Sequence, residues 1–440
     1  MYVVRRSEHN PLLSPIQDHP WEGYAVFNGS PIKLKKETHL LYRALSTPEK
    51  FENTSFSMSQ ICKAVSKDGV HFTKRTAFIT PEKEWERYGC EDPRVTYLNG
   101  KYYTFYTALA HFPFNADGIR IGLAISKDLE TISEKHLVTP FNSKAMALFP
   151  EKINGKFTII LTANSDLPPS KIGIAQFDTE EDMWSAELWQ KWYKNIDKHT
   201  INLKRKEDDQ IEVGGVPIKT KHGWLLVYAH IQKYFSDHKI FGIEAVLLDL
   251  KDPRKIVGRT DTPLLVPEES YEKYGTVPNT IFPSGTIIEG DMLRIYYGST
   301  DTTVSMAEVN LPNLLFSMLG GKDELFARDP KNPILKPIAN VWEKKAVFNP
   351  AVIDLGGKVH ILYRAMGDDN TSVVGYAASE NGIKVTERLK NPIYTPRISY
   401  ERKGVPNGNS GCEDARITQI SNRLYMTYTA YNGIEAPAVA

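Results

Sequence analysis

Cysteine is scarce in this 440-residue sequence, with Cys62, Cys90 and Cys412 the only three. None belongs to a C-x-x-C pair, so neither a zinc site nor a disulfide framework is expected. Excess charge is also missing: 54 Lys and Arg stand against 53 Asp and Glu, for a net charge of +1. Without a basic block or an acidic tail, the chain does not read as a nucleic-acid binder. Long apolar runs are absent, so no segment is expected to span a membrane. The start, Met1-Tyr2-Val3-Val4-Arg5-Arg6, lacks the apolar centre of a signal peptide, which makes a cytoplasmic setting the expectation. What the chain does have is rings: 22 Tyr, 18 Phe and 7 Trp. They suit a β-rich fold, and flat rings also suit the faces of sugars.

Two nested repeats organise the sequence. Asn10-Pro11-Leu12-Leu13 returns as Asn332-Pro333-Ile334-Leu335, and Ala25-Val26-Phe27-Asn28 returns as Ala346-Val347-Phe348-Asn349. Leu41-Tyr42-Arg43-Ala44 and Gly89-Cys90-Glu91-Asp92 return at Leu362 and Gly411, always 321 or 322 residues on. So steady an offset means tandem copies of one domain. Inside it runs a shorter unit, a turn followed by an alternating apolar strand with a Tyr-like end at Tyr42, Tyr106, Leu161, Tyr228, Tyr297, Tyr363 and Tyr428. Five steps of this unit carry Tyr42 to Tyr363, so one domain holds five sub-repeats. Five all-β units of blade size predict a five-bladed β-propeller over residues 1–322, because ring closure removes the open sheet edges that a linear array would expose. Residues 323–440 hold only two sub-repeats and are expected to form a partial second propeller unit, part of a longer or truncated tandem. Short helices are expected at Glu180 to Lys191 and at Leu311 to Phe326.

Several motifs resemble those of glycoside hydrolase family 130, the mannoside phosphorylases and mannosidases. They are Val26-Phe27-Asn28, Leu41-Tyr42-Arg43-Ala44, Gly89-Cys90-Glu91-Asp92-Pro93-Arg94, Leu148-Phe149-Pro150-Glu151-Lys152-Ile153, Gly223-Trp224-Leu225-Leu226-Val227-Tyr228 and Phe282-Pro283-Ser284-Gly285. They fall in the family's order across residues 5 to 310. The resemblance implies a five-bladed propeller that cleaves β-mannosidic bonds with inversion, acting on an oligosaccharide. It implies no cofactor, with inorganic phosphate as a co-substrate, and it is compatible with a homo-oligomer. It makes Asp92 the acid, protonating the leaving oxygen through a hydroxyl of the bound mannose. Glu91 beside it is a neighbouring carboxylate of the kind that holds a proton on an acid. Arg94 can orient the segment, and Glu91, Arg94 and His230 are expected among the substrate-binding residues. Arg43 is an exception among strand ends that otherwise carry Thr107, Thr162, Ala229 and Gly298, and a charge in such a place usually meets a partner or a ligand. Asn28 and Asp301 complete the expected sugar contacts.

The sequence departs from the phosphorylase pattern where phosphate should be held. The His-Arg pair expected after Phe149-Pro150-Glu151 is missing from Leu161-Thr162-Ala163-Asn164. A Lys position falls on Gln210 and a His position on Ala229, with His230 adjacent. Fewer cations and an added carboxylate are what a change from phosphate to water requires, so hydrolysis is slightly favoured here. Glu212 is then the candidate base, with Glu244 behind it. The second copy reads Cys412-Glu413-Asp414-Ala415-Arg416 and keeps Arg364. It is expected to be inactive without further blades. A non-catalytic carbohydrate-binding propeller is the main alternative, since propellers host many functions.

Overall fold

The computed structural model describes residues 2–51, 54–321 and 328–440. The chain forms two compact units, Met1–Asp323 and Glu324–Ala440. Among the described residues, no helix is long and apolar enough to cross a membrane.

The strands of the first unit form antiparallel sheets, and in the largest a single parallel bridge from Ser59 to Gly89 joins two antiparallel groups, so five blades can be distinguished. Blade 1 comprises Ala25–Leu34, Glu37–Leu45, Ser59–Ser66 and Thr73–Ile79. Blade 2 comprises Gly89–Leu98, Lys101–Leu109, Ile119–Ser126 and Ile132–Leu137. Blade 3 is built on Ser143–Leu148, Phe157–Ala163 and Lys171–Phe177, and blade 4 on Gln210–Val213, Gly223–Gln232 and Ile240–Leu248. Blade 5 has Ile281–Glu289, Met292–Ser299 and Thr303–Asn310, and it takes its outer strand, Val4–Arg6, from the start of the chain. The two ends of the unit therefore share one sheet. Apolar clusters lie at each junction between blades. The one containing Leu13, Val26, Tyr42, Tyr296 and Val304 joins blade 5 to blade 1 and closes the ring. Alternation along each strand sends side chains to both faces, so every blade contributes to two of these clusters.

The Tyr-like position of the short repeat has a physical reason. Tyr42 Oη donates to Glu22 at 2.6 Å, Tyr297 Oη to Glu272 at 2.8 Å, and Tyr106 Oη to Glu86. All three carboxylates are fully buried. A cation from the outer strand reaches each of them: Arg75 at 3.4 Å from Glu22, Lys135 at 2.9 Å from Glu86, and Arg6 at 2.8 Å from Glu272. Buried charges persist only when paired and hydrogen-bonded, and here both conditions are met. Blade 4 uses a variant in which Tyr228 donates to Glu244 at 2.9 Å. Blade 3 has Leu161 instead, packed in a cluster with Trp189 and Trp192.

The second unit has two blades. Its strands run Ala346–Leu355, Lys358–Met366, Thr371–Ser379 and Val385–Arg388, then Ser410–Ile420, Arg423–Tyr431 and Ala438–Val439. It repeats the buried anchor, with Tyr363 Oη on Glu343 at 2.9 Å and Arg388 on the same carboxylate at 2.5 Å.

The helix expected over Glu180 to Lys191 is divided into a 3-10 turn, Glu181–Trp184, and a helix, Ala186–Tyr193. Ser185 makes the break because its hydroxyl caps the second piece, accepting from the Leu188 N–H at 3.5 Å. The closing helix is Leu311–Met318, capped by Asn310, and the expected end at Phe326 lies outside the described residues.

Arg6→Ala leaves the buried Glu272 without its cation. Removing one partner of a buried pair costs about 3–5 kcal/mol, so the first unit should lose roughly that much in urea denaturation. An unchanged midpoint would show that the N-terminal strand does not hold the ring closed.

Candidate active site

The site is made by a local irregularity repeated from blade to blade. In the inner strands of blades 1, 2 and 3 the pairing register slips at Phe27/Ser30, Glu91/Arg94 and Lys144/Ala147. Inside these bulges Asn28, Asp92 and Ala145 have φ of 51°, 51° and 46°. Asn and Asp tolerate this left-handed conformation better than other side chains, and a bulge redirects the residue it contains. Asn28 and Asp92 are thereby turned towards each other from adjacent blades. Asn28 Nδ2 donates to Asp92 Oδ1 at 2.8 Å.

Strand register sorts the remaining residues. Phe27 pairs with Arg43, Glu91 with Thr107, Lys144 with Thr162, Glu212 with Ala229, and Phe282 with Gly298. Glu91, Lys144 and Glu212 thus hold one position in three successive blades. Arg43 is the charged member of the second-strand set. Its guanidinium pairs with Glu91, lies 3.6 Å from Asp92 Oδ1, and sits 4.7 Å over the Phe27 ring. Its Nε donates to Ser59 Oγ at 3.2 Å. Burial opposes the charge on Arg43, but Glu91, Asp92 and Asp301 outweigh it and raise its pKa. Burial raises the Glu91 carboxyl, with Arg43 opposing and Asp92 adding to the rise. Asp301, at φ 50°, is likewise raised by burial while Arg43 opposes. Asn28, Arg43, Glu91, Asp92 and Asp301 therefore come together in one group.

Beside this group, Lys144 Nζ donates to Asp166 Oδ1 at 2.7 Å. Glu212 feels both of them. Burial pushes its carboxyl up to about 7, with Asp166 and Asp92 adding to the rise and Lys144 and Arg94 opposing it. Arg43, Glu91, Phe114, Asn115, Lys144 and Asp166 line a cavity of about 450 Å³. Sequence reasoning missed Lys144 and Asp166. The short repeat is plainest in the second strand of each blade, whereas it is the first strands that place Lys144 in register with Glu91.

Three expectations need correction. Arg94 is fully buried and clamps backbone instead of facing a ligand. Its Nη1 donates to Asp92 O at 3.1 Å and Pro93 O at 3.0 Å, and its Nε donates to Gly214 O in blade 4. Burial lowers its pKa to about 10. His230 is also fully buried, with Nδ1 2.7 Å from Glu244 and Nε2 2.9 Å from Asp209. Register explains why it cannot replace the His expected at Ala229: His230 pairs with Ile211, and successive residues of a strand face opposite sides. Glu244 is no base either. Burial alone would raise its carboxyl, but hydrogen bonds from His230 and Arg205 pull it down to about 2. It is the buried anchor of blade 4. Gln210 is buried too, and its side-chain oxygen accepts from the Ser170 N–H at 3.0 Å.

The second unit by itself reproduces the Asn28, Arg43, Glu91 and Asp92 members of the first group. Asn349 Nδ2 donates to Asp414 at 2.7 Å, and Arg364 reaches Glu413 at 2.6 Å and Asp414 at 3.2 Å.

Gly298 is fixed by the same geometry, since a Cβ there would lie 2.3 Å from Asn28 Oδ1. Gly298→Ala should cost about 1–3 kcal/mol of stability through overpacking. A crystal structure of the variant should show Asn28 displaced from Asp92, and an intact contact would contradict this packing.

Comparison with known proteins identifies the scaffold. The sequence pattern of the glycoside hydrolase family 130 group described as beta-1,4-mannooligosaccharide phosphorylase matches residues 3–318 and again 327–437. A 1,2-beta-oligomannan phosphorylase of Thermoanaerobacter sp. (strain X514) is 36% identical over 319 residues, covering 72% of this chain and all of the relative. A beta-1,2-mannobiose phosphorylase of the same strain is 34% identical over 325 residues, again covering 72% of this chain and 100% of the relative. The solved structure of the beta-1,2-mannobiose phosphorylase from Listeria innocua, in complex with beta-1,2-mannobiose, superposes with a TM-score of 0.61 at 27% identity. That match covers 72% of this chain and 99% of the Listeria chain. With the family's pattern matched in both of its units, the chain belongs to glycoside hydrolase family 130.

Proposed function

We propose that this chain cleaves β-mannosidic bonds in mannooligosaccharides, with Asp92 as the acid and phosphate as the acceptor. The observation that carries the reading is the hold on Asp92, which is fixed in a left-handed bulge, hydrogen-bonded by Asn28 and faced by Arg43. An acid so held delivers its proton to a leaving oxygen, directly or through a sugar hydroxyl, at a constant place. Glu91 and Asp301 add acceptors for sugar hydroxyls beside it. One acid with an acceptor that attacks the anomeric carbon directly is a single displacement, which inverts that centre. Phosphate is supported by the Thermoanaerobacter and Listeria relatives, which are named phosphorylases. The β-1,2 linkage is the one named for both Thermoanaerobacter relatives.

A second reading, hydrolysis, is favoured by Glu212. Its carboxyl, raised to about 7, is tuned for a general base near neutral pH. The positions where cations were expected hold Thr162-Ala163, a buried Gln210 and Ala229. Below pH 7 Glu212 is protonated and cannot take a proton from water, so a hydrolytic rate should climb as pH rises through about 7.

Incubating the protein with β-1,2-mannobiose, with and without inorganic phosphate, separates the two readings. Phosphorolysis predicts mannose 1-phosphate and strict phosphate dependence. Free mannose formed without phosphate, with a rising limb of kcat/KM near pH 7 that Glu212→Gln removes, would establish hydrolysis instead. Under either reading Asp92→Asn should lower turnover by about 10²–10⁴-fold, and wild-type turnover in that variant would sink the assignment of Asp92.

A further inference from the structure

The cavity wall carries an aromatic ring that has no part in the proposed cleavage. Phe114 lines the same space as Arg43, Glu91, Lys144 and Asp166, and it is 49% exposed. A single half-exposed Phe is ordinary on a protein surface. This one differs in its support and in its setting. Phe112 meets it edge to face at 5.4 Å, and Phe56 meets Phe112 in the same manner at 5.0 Å. The three rings thus form an edge-to-face cluster that spans the second-to-third-strand loops of blades 1 and 2.

The loop that bears Phe114 is tied to the charged part of the site. Asn142 Nδ2 donates to Ala116 O at 3.1 Å and to Asp166 Oδ2 at 2.9 Å. Asp166 in turn holds Lys144. At the tip of the loop, Asn115 Oδ1 accepts from the Gly118 N–H at 3.1 Å. Phe114 is therefore a flat apolar face held in register with a ring of ions. A sugar chain matches that combination, because each ring has hydroxyls at its edge for the ions and a C–H face for the aromatic ring.

We propose that Phe114 is a stacking platform for the part of the mannooligosaccharide on the leaving-group side of the cleaved bond. This rests on the reading of the chain as a β-mannoside-cleaving enzyme. The unit being cleaved sits at Asp92, and the remainder of the chain extends along the cavity wall across Phe114. The residue sets affinity for the oligosaccharide without taking part in bond cleavage.

Steady-state kinetics on β-1,2-mannobiose and β-1,2-mannotriose with wild type, Phe114→Ala and Phe114→Trp test the platform. Phe114→Ala should raise KM for at least the trisaccharide roughly threefold to tenfold while kcat stays within twofold. Phe114→Trp, which restores a flat ring, should bring KM back towards wild type. An unchanged KM in Phe114→Ala overturns the platform, as does a loss confined to kcat or a failure of Trp to restore KM. A wild-type protein that cleaves neither sugar overturns the underlying reading instead, and the platform with it.

Discussion

The ring rests on a buried carboxylate that a tyrosine and an outer-strand cation hold in place. Glu22, Glu86 and Glu272 each fix the entry to a blade, accept from a tyrosine on its second strand, and draw in Arg75, Lys135 or Arg6 from its edge. The anchor thus joins the segment before a blade, the middle of the blade and its outer strand at one point. Without it, four-stranded sheets could slide past one another on apolar faces that have little directional preference. In blade 5 the cation comes from the chain start, so the same interaction that orders a blade also closes the ring. Glu244 and His230 belong to this scaffold, which is why they are lost to the chemistry.

With the blades fixed, the inner strands can carry strain. Left-handed backbone at Asn28 and Asp92 is unfavourable for most side chains, and it persists because ladders on both sides hold the bulges. Its effect is to turn Asn28 and Asp92 out of the alternating pattern and towards each other in the site. Arg94 reinforces this from behind, bridging the backbone of the Asp92 segment to Gly214 of blade 4. The groups that surround the acid are ordinary members of a strand register: Glu91, Lys144 and Glu212 on the inner strands, and Arg43 on a second strand.

Much of this was legible in the sequence, for identifiable reasons. The second strands repeat because each must present a residue to the anchor, so Tyr42, Tyr106, Tyr228 and Tyr297 stand out. Arg43 was visible as the exception in that series, and Asp92 as part of an ordered set of motifs. The anchors themselves could have been found, because Trp-Glu at 21–22, 85–86 and 342–343 precedes a Tyr by the same 20 residues each time. Lys144 and Asp166 could not be paired from sequence, since strand pairing in blade 3 brings together residues 22 apart. His230 misled because adjacency in sequence means opposite faces in a strand. Arg94 misled because a charged residue beside an acid looks like a ligand contact until its burial is known.

Every role assigned around the site depends on Asp92 being the group that meets the scissile bond. A crystal structure of the Asp92→Asn protein with β-1,2-mannobiose tests this most directly. The prediction is that residue 92 lies within about 2.6–3.2 Å of the glycosidic oxygen or of a hydroxyl next to it, with Asn28 still in contact. A disaccharide bound with its glycosidic bond away from residue 92 would contradict the account.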